Sequence, residues 1–239
     1  MEGSKILSIR EELENELTWR TNELKILKNQ LIKIPKPEDR DIYRKSLVVM
    51  LYAHYEGFCN FAFQTYVIAI NEENLLRKDV NSNLAAASMH QEFSLFEQDE
   101  YNENRFKKVF GKKPPEDNKL FKFSKRVYLY EAFDDFLNQK IEIPDKIVNT
   151  ESNLWPVVLK KLLYSLGLPE STFARHETSI KNLVSTRNGI SHGQKKDGIS
   201  EVTFEELEKS TNEINNSIIK LIYNSLINKE YLNQNINDL

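Results

Sequence analysis

Apolar residues recur at three- and four-residue steps over residues 5–33, where Ile6, Leu7, Leu13, Leu17, Leu24, Leu27 and Leu31 sit among Glu, Lys and Arg. That spacing predicts one amphipathic helix. Pro35 and Pro37 end it, since proline supplies no N–H and disfavours helix in the residue before it. A second helix opens near Asp39 and runs to about Asn74. Its middle, SLVVMLYAHYEGFCNFAFQTYVIAI, is apolar nearly all round, as in a helix enclosed by others. His54, Glu56, Asn60 and Gln64 interrupt it too often for a membrane span.

The pattern weakens from about 75 to 150. Leu84 to Met89 and Tyr101 to Phe110 read as short helices, and GKKPPEDNK (111–119) as a solvated loop. Ser124 to Gln139 predicts another helix and IEIP (141–144) a short extended piece. Nothing here reads as a separate domain with its own core. In the last third, a helix over about 154–166 is closed by Gly167 with Pro169 beyond it. A further helix spans Glu177 to about Gly189, with Ile180, Leu183 and Val184 on one face. The loop ISHGQKKDGIS follows. Thr203 with Glu206 makes a capping-box pattern opening a last helix to about Asn228, and an Asn-rich tail is expected to fray. The expected fold is all-α: a helical bundle forming a single domain over 1–239, with about 75–150 an inserted, partly irregular elaboration.

Composition agrees. The 239 residues are 40% hydrophobic and 29% charged, enough for a real core, and seven Gly with seven Pro are too few for a turn-rich β fold. One cysteine, Cys59, leaves no internal disulfide and no zinc site of paired thiolates. The charged opening MEGSKILSIREELENEL lacks the apolar core of a signal peptide, so the chain reads as soluble and cytoplasmic. A net charge of −3 argues against a protein that coats nucleic acid, but allows a local basic groove.

Candidate chemistry narrows by elimination. The sequence has no glycine-rich phosphate loop, no dinucleotide-binding fingerprint, no His-Glu-x-x-His and no G-x-S-x-G elbow. Its four histidines do not share a helix face at i, i+4, so neither a metal nor another cofactor is indicated. What remains is LVSTRNGISHG (183–193). Arg187 offers a permanently charged planar fork for phosphate oxygens, and His192 can pass a proton near neutral pH. Together they suit cleavage of RNA without a metal, the ribose 2′-OH attacking phosphorus while Arg187 stabilises the developing charge. The same residues also suit a plain helix end, where Arg, Asn, Gly and His serve as caps.

RNGISHG resembles the Arg-x4-His signature of the HEPN superfamily. LYAHYEGFCNFAF (51–63) and NLWPVVLKKLLYSLGLP (153–169) are similar to the central helix and the stretch upstream of the motif in one bacterial branch associated with toxins and phage defence. The resemblance implies a helical domain, a two-fold homodimer, and metal-independent RNA cleavage between protomers that leaves 2′,3′-cyclic phosphate. It also implies a toxin–antitoxin or antiphage setting, with an antitoxin or regulatory partner protein. The contrasting reading is a catalytically silent module of the same fold that binds a partner protein or a nucleotide.

On this reading Arg187 and His192 are catalytic. Asn188 orients the histidine or holds a phosphate oxygen, and Ser191 and Gly193 shape the loop. Glu56, an acid in an apolar helix, either holds Arg187 or His192 in place or ties two helices together. His54 is either a core histidine or a neighbour of the site. Lys122, Lys125 and Arg126, interleaved with aromatics in FKFSKRVY (121–128), either track an RNA backbone or form a charged face.

Overall fold

A computed structural model describes residues 1–97 and 101–233. Among these residues the chain is all-α, with no β-strand. Its helices are α1 (Gly3–Asn29), α2 (Pro37–Asn71), α3 (Ser82–Ser88), α4 (His90–Glu97), α5 (Glu103–Phe110), α6 (Asn118–Leu137), α7 (Pro156–Ser165), α8 (Glu177–Ser191) and α9 (Glu201–Ile227). They fall into two compact units. The first holds residues 1–69, 148–164 and 168–229; the second holds 70–147, 165–167 and the chain from 230.

In the first unit the long amphipathic helices enclose α2. Tyr55, Phe58, Cys59, Ala62, Phe63, Tyr66 and Val67 of α2 are all fully buried. Each large apolar side chain so enclosed stabilises the fold by about 1.5–3 kcal/mol. The polar atoms of α2 are spent on its neighbours. The Tyr43 hydroxyl donates to Leu27 O of the first helix at 3.1 Å, and Tyr66 Oη lies 3.1 Å from Ser225 Oγ on α9. Helix α1 packs along α9. It buries Ile6, Ile9, Leu13, Leu17 and Leu24, whereas Leu7, one position off that stripe, stays half exposed.

The helix boundaries follow local chemistry. Pro37 opens α2 instead of merely ending α1, because its missing N–H is among those a first turn leaves unpaired anyway. Helix α9 begins three residues before the expected cap: Ser200 Oγ accepts from Thr203 N at 3.2 Å, so Ser200 takes the role expected of Thr203. Helix α8 runs on through Gly189 to Ser191, and Gly193 (φ +69°) takes the left-handed turn that stops it.

The second unit is more structured than the sequence predicts. Helix α4 fills a stretch without a clear pattern, and α6 starts at Asn118 because Asp117 Oδ1 accepts from Lys119 N and Leu120 N. Leu95, Phe106 and Phe121 are buried together, with Tyr101, Val109, Phe110 and Tyr128 packed around them. This aromatic cluster is a core of the segment's own, where none was expected. Arg77 and Glu92 form a buried ion pair at 2.9 Å. Residues 140–143 are extended, with an isolated antiparallel bridge from Leu76 to Lys140 and Ile143 N donating to Asn71 Oδ1.

Among the described residues no helix is long and apolar enough to cross a membrane. Most of the Asn-rich tail expected to fray lies outside the described residues.

Candidate functional site

Ile180, Leu183 and Val184 form the buried stripe of α8, and Arg187 follows Val184 by three positions, on the same inward face. Its guanidinium is therefore carried against α2. The carbon at its centre sits 4.2 Å from the ring centroid of Tyr52, within the range of an attractive cation–π contact. Nη1 donates to Asn153 Oδ1 at 3.0 Å and to Asn188 Oδ1 at 2.7 Å. Among the described residues neither Nε nor Nη2 meets a protein acceptor. The side-on fork of the guanidinium is left open.

The elements that hold Arg187 also hold each other. The Tyr52 hydroxyl accepts from Leu154 N at 2.9 Å, and Leu154 adjoins Asn153. Burial raises the Tyr52 phenol to about 12, against the lowering effect of that backbone bond and of Arg187, while the charge of Glu56 and its hydrogen bond to Tyr52 push it further up. Tyr52 therefore stays neutral at any working pH. Before Asn153 the backbone takes two consecutive left-handed residues that are not glycine, Glu151 (φ 51°) and Ser152 (φ 64°). Such strain costs about 1–3 kcal/mol per residue and persists only where the surroundings enforce it. Here Asn149 Oδ1 accepts from Glu151 N, and Asn153 N donates to Thr150 O.

His192 stands one residue past the last turn of α8. Its backbone N–H donates to Asn188 O at 2.9 Å, and its side chain is exposed. Five positions separate it from Arg187, about 140° around the helix axis, so its ring lies off the face that Arg187 occupies. Ser191 and Gly193 are exposed beside it. The following loop is tied to the start of α2. Ile199 N donates to Asp41 O at 2.8 Å, and Lys45 Nζ donates to Lys195 O at 2.6 Å. Gly198 lies so close to Asp41 that a Cβ there would come within 2.5 Å of its side chain.

Glu56 is half-buried, one turn beyond Tyr52 on the same face of α2. Its hydrogen bond goes to Tyr52, so it bears on Arg187 through the ring beneath the guanidinium. The site candidate His54 lies about 200° around α2 from Tyr52 and faces α1. There its ring meets Trp19 edge-on at 5.6 Å, and Nε2 lies 3.2 Å from Glu23 Oε2 without the alignment of a hydrogen bond. Burial lowers its pKa, with Arg20 adding to the effect and Glu23 opposing it.

Lys122, Lys125 and Arg126 belong to the second unit. Lys122 and Arg126 are exposed, but Lys125 is buried, its Nζ donating to Leu95 O at 3.0 Å and lying over the Phe121 ring. An RNA-tracking role for Lys125 is thus corrected: its long stem fills the aromatic core and its charge is spent there. Tyr52 and Asn153 were missed from sequence. Tyr52 was hidden in an apolar run; Asn153 opens a stretch that resembles the family, and that was its only signal.

Among the described residues no three His, Cys, Asp or Glu side chains gather to share a metal ion. No curated protein and no solved structure matches the chain. The RiboL-PSP-HEPN family profile matches residues 15–228, covering four of the five helices of the first unit nearly entire and α1 from its middle onward. With that span, the all-α architecture and the RNGISHG segment at the end of α8, the chain belongs to the RiboL-PSP-HEPN family.

Proposed function

We propose that this chain is a cytoplasmic RNA endonuclease that works without a metal. The observation that carries the reading is the Arg187 guanidinium, fixed on one side by Tyr52, Asn153 and Asn188 with its Nε–Nη2 edge unpaired. That edge is the fork that binds two oxygens of one phosphate. An arginine serving only as a helix cap has no need of such a clamp.

In the reaction the 2′-oxygen bonds to phosphorus as the bond from phosphorus to the 5′-oxygen breaks. One proton leaves the 2′-hydroxyl and one arrives at the departing 5′-oxygen, giving a 2′,3′-cyclic phosphate and a 5′-hydroxyl. His192 moves a proton and Arg187 holds the charge that builds on the phosphoryl oxygens. One histidine does not serve both transfers in the same instant. A homodimer with the motif near its two-fold axis supplies a second copy of each group, and isologous dimers are the commonest soluble oligomers. A toxin or antiphage effector restrained by a partner protein fits such an activity.

Purified protein incubated with RNA in excess EDTA tests this. The expected result is cleavage with cyclic phosphate ends, no cutting of DNA, and no cutting where the scissile ribose lacks its 2′-hydroxyl. Cleavage that stops in EDTA and returns with magnesium would overturn the mechanism. Failure to cut any RNA, together with saturable binding of a nucleotide or a protein, would favour the silent module.

A further inference from the structure

The most exposed apolar surface of the molecule lies on α6. Leu120 and Phe123 are each 61% exposed, Val127 40%, Tyr130 87% and Phe133 42%. Leu120, Phe123, Val127 and Tyr130 follow at steps of three, four and three, so they share one face of the helix. Single exposed apolar residues are ordinary, but a continuous row of large ones marks an interaction surface. The opposite face is already used: Phe121, Ser124, Lys125 and Phe136 are its buried residues. The row is therefore not a displaced core.

Charge along the same helix says what covers it. The exposed cations Lys119, Lys122 and Arg126 lie in the N-terminal half, and the exposed acids Glu131, Asp134 and Asp135 in the C-terminal half. A surface that is basic at one end and acidic at the other is complemented by its own reverse. We propose that this face of α6 pairs with α6 of a second copy of the chain, antiparallel, about a two-fold axis crossing between Val127 and Tyr130. Each basic half then lies over the acidic half of the other copy, and the two helix dipoles oppose each other favourably. Single-stranded RNA would match the basic half and be repelled by the acidic one.

The groove beside the row fits this packing. A cavity of about 580 Å³ opens between Phe96 of α4 and the residues Arg126, Leu129, Tyr130, Phe133 and Asp134 of α6. Antiparallel packing brings Phe123 of the second copy opposite Asp134, at this groove. At ~150–250 Å² per aromatic side chain, the exposed parts of Phe123, Tyr130 and Phe133 offer about 300–450 Å² per copy. With Leu120 and Val127 the contact falls near the lower limit of about 1,000 Å² in total for a specific interface. The association is therefore weak and dependent on concentration.

Sedimentation velocity across a concentration series tests the pairing in the full chain. The comparison is between wild type and variants, so any association through another surface cancels. Phe123→Asp with Tyr130→Asp should abolish one association step while far-UV circular dichroism is unchanged, since both residues are exposed. Arg126→Glu and Glu131→Arg should each weaken that step about tenfold, and the two together should restore it. Masses identical for wild type and the Phe123→Asp/Tyr130→Asp variant would overturn the proposal. So would an unchanged mass accompanied by weaker binding of single-stranded RNA, which would make the face an RNA platform. Two single reversals that weaken association without mutual rescue would overturn the antiparallel arrangement.

Discussion

The two ends of the RNGISHG segment are built in opposite ways. Arg187 is half-buried, stacked on Tyr52 and bonded to two asparagines; His192, five residues on, stands exposed past the helix end with only its backbone engaged. The difference follows what each group has to do. A guanidinium that stabilises charge gains by being fixed in advance, because reorientation during the reaction would cost free energy. A histidine that moves protons must reach substrate on both of its nitrogens, and it loses that freedom if it is packed. Activity and stability should therefore separate at one end of the segment and move together at the other.

The sharpest break in this contrast is His192→Ala. RNA cleavage should fall about 10²–10⁴-fold, the usual contribution of a proton-transfer group, while stability to urea stays within about 0.5 kcal/mol. A large loss of stability would mean that the exposed ring does structural work. Arg187→Lys comes next. Cleavage should drop about 10²–10³-fold, and the melting temperature should fall too, because an ammonium cannot bond both asparagines and still lie flat on the ring.

Tyr52→Phe sharpens the comparison on the held side alone. The ring remains under the guanidinium, but the buried N–H of Leu154 loses its acceptor, at a cost of about 1–3 kcal/mol. Urea denaturation measures that cost, and activity should fall by several-fold as Asn153 loosens. Glu56→Gln should lower activity about tenfold, or about 1.4 kcal/mol in the transition state, with the fold retained. Melting far below wild type with unchanged specific activity would make Glu56 a structural tie only.

The smallest effect lies on the face of α2 turned from the site. Burial holds His54 below its ordinary value of 6.5, so the unfolded chain takes up a proton more readily than the folded one. The stability that His54 contributes is full above pH 6.5 and declines as the pH falls through that value. The urea midpoint should drop between pH 7.5 and pH 5.5, and drop less in His54→Gln. An identical pH slope in both proteins would rule out a linkage through this residue.

How far the sequence carries differs between the units. The long helices of the first unit are legible because a stripe such as Ile6, Leu13, Leu17 and Leu24 repeats for many turns. Pro37, Gly167 and Gly193 mark its breaks by backbone chemistry alone. The second unit is not legible in that way. Helices as short as α3, α4 and α5 complete at most about two turns, too few for a period to emerge. Phe106 and Phe121 meet through a fold that spacing does not encode. The candidate site divides similarly. Arg187 and His192 stand in one short motif, whereas Tyr52 and Asn153 lie far from it along the chain and join it only through tertiary packing. Lys125 shows the reverse failure: a cation among aromatics reads as a nucleic-acid contact, yet its stem is long enough to be drawn into the core.

Cys59 turns the packing of α2 into something that can be timed. It is the single cysteine of the chain, it is fully buried, and burial followed by the nearby charge of Glu56 pushes its thiol well above the ordinary range. A thiol reagent attacks the thiolate, so in the native protein it finds neither access nor the reactive form. Labelling therefore waits for α2 to come out of its enclosure. The rate of one colour change per chain, followed under native conditions, reports how often the helix that carries Tyr52 and Glu56 is released. Substitutions that loosen the seat of Arg187 should quicken that clock, and His192→Ala should leave it running at its native pace.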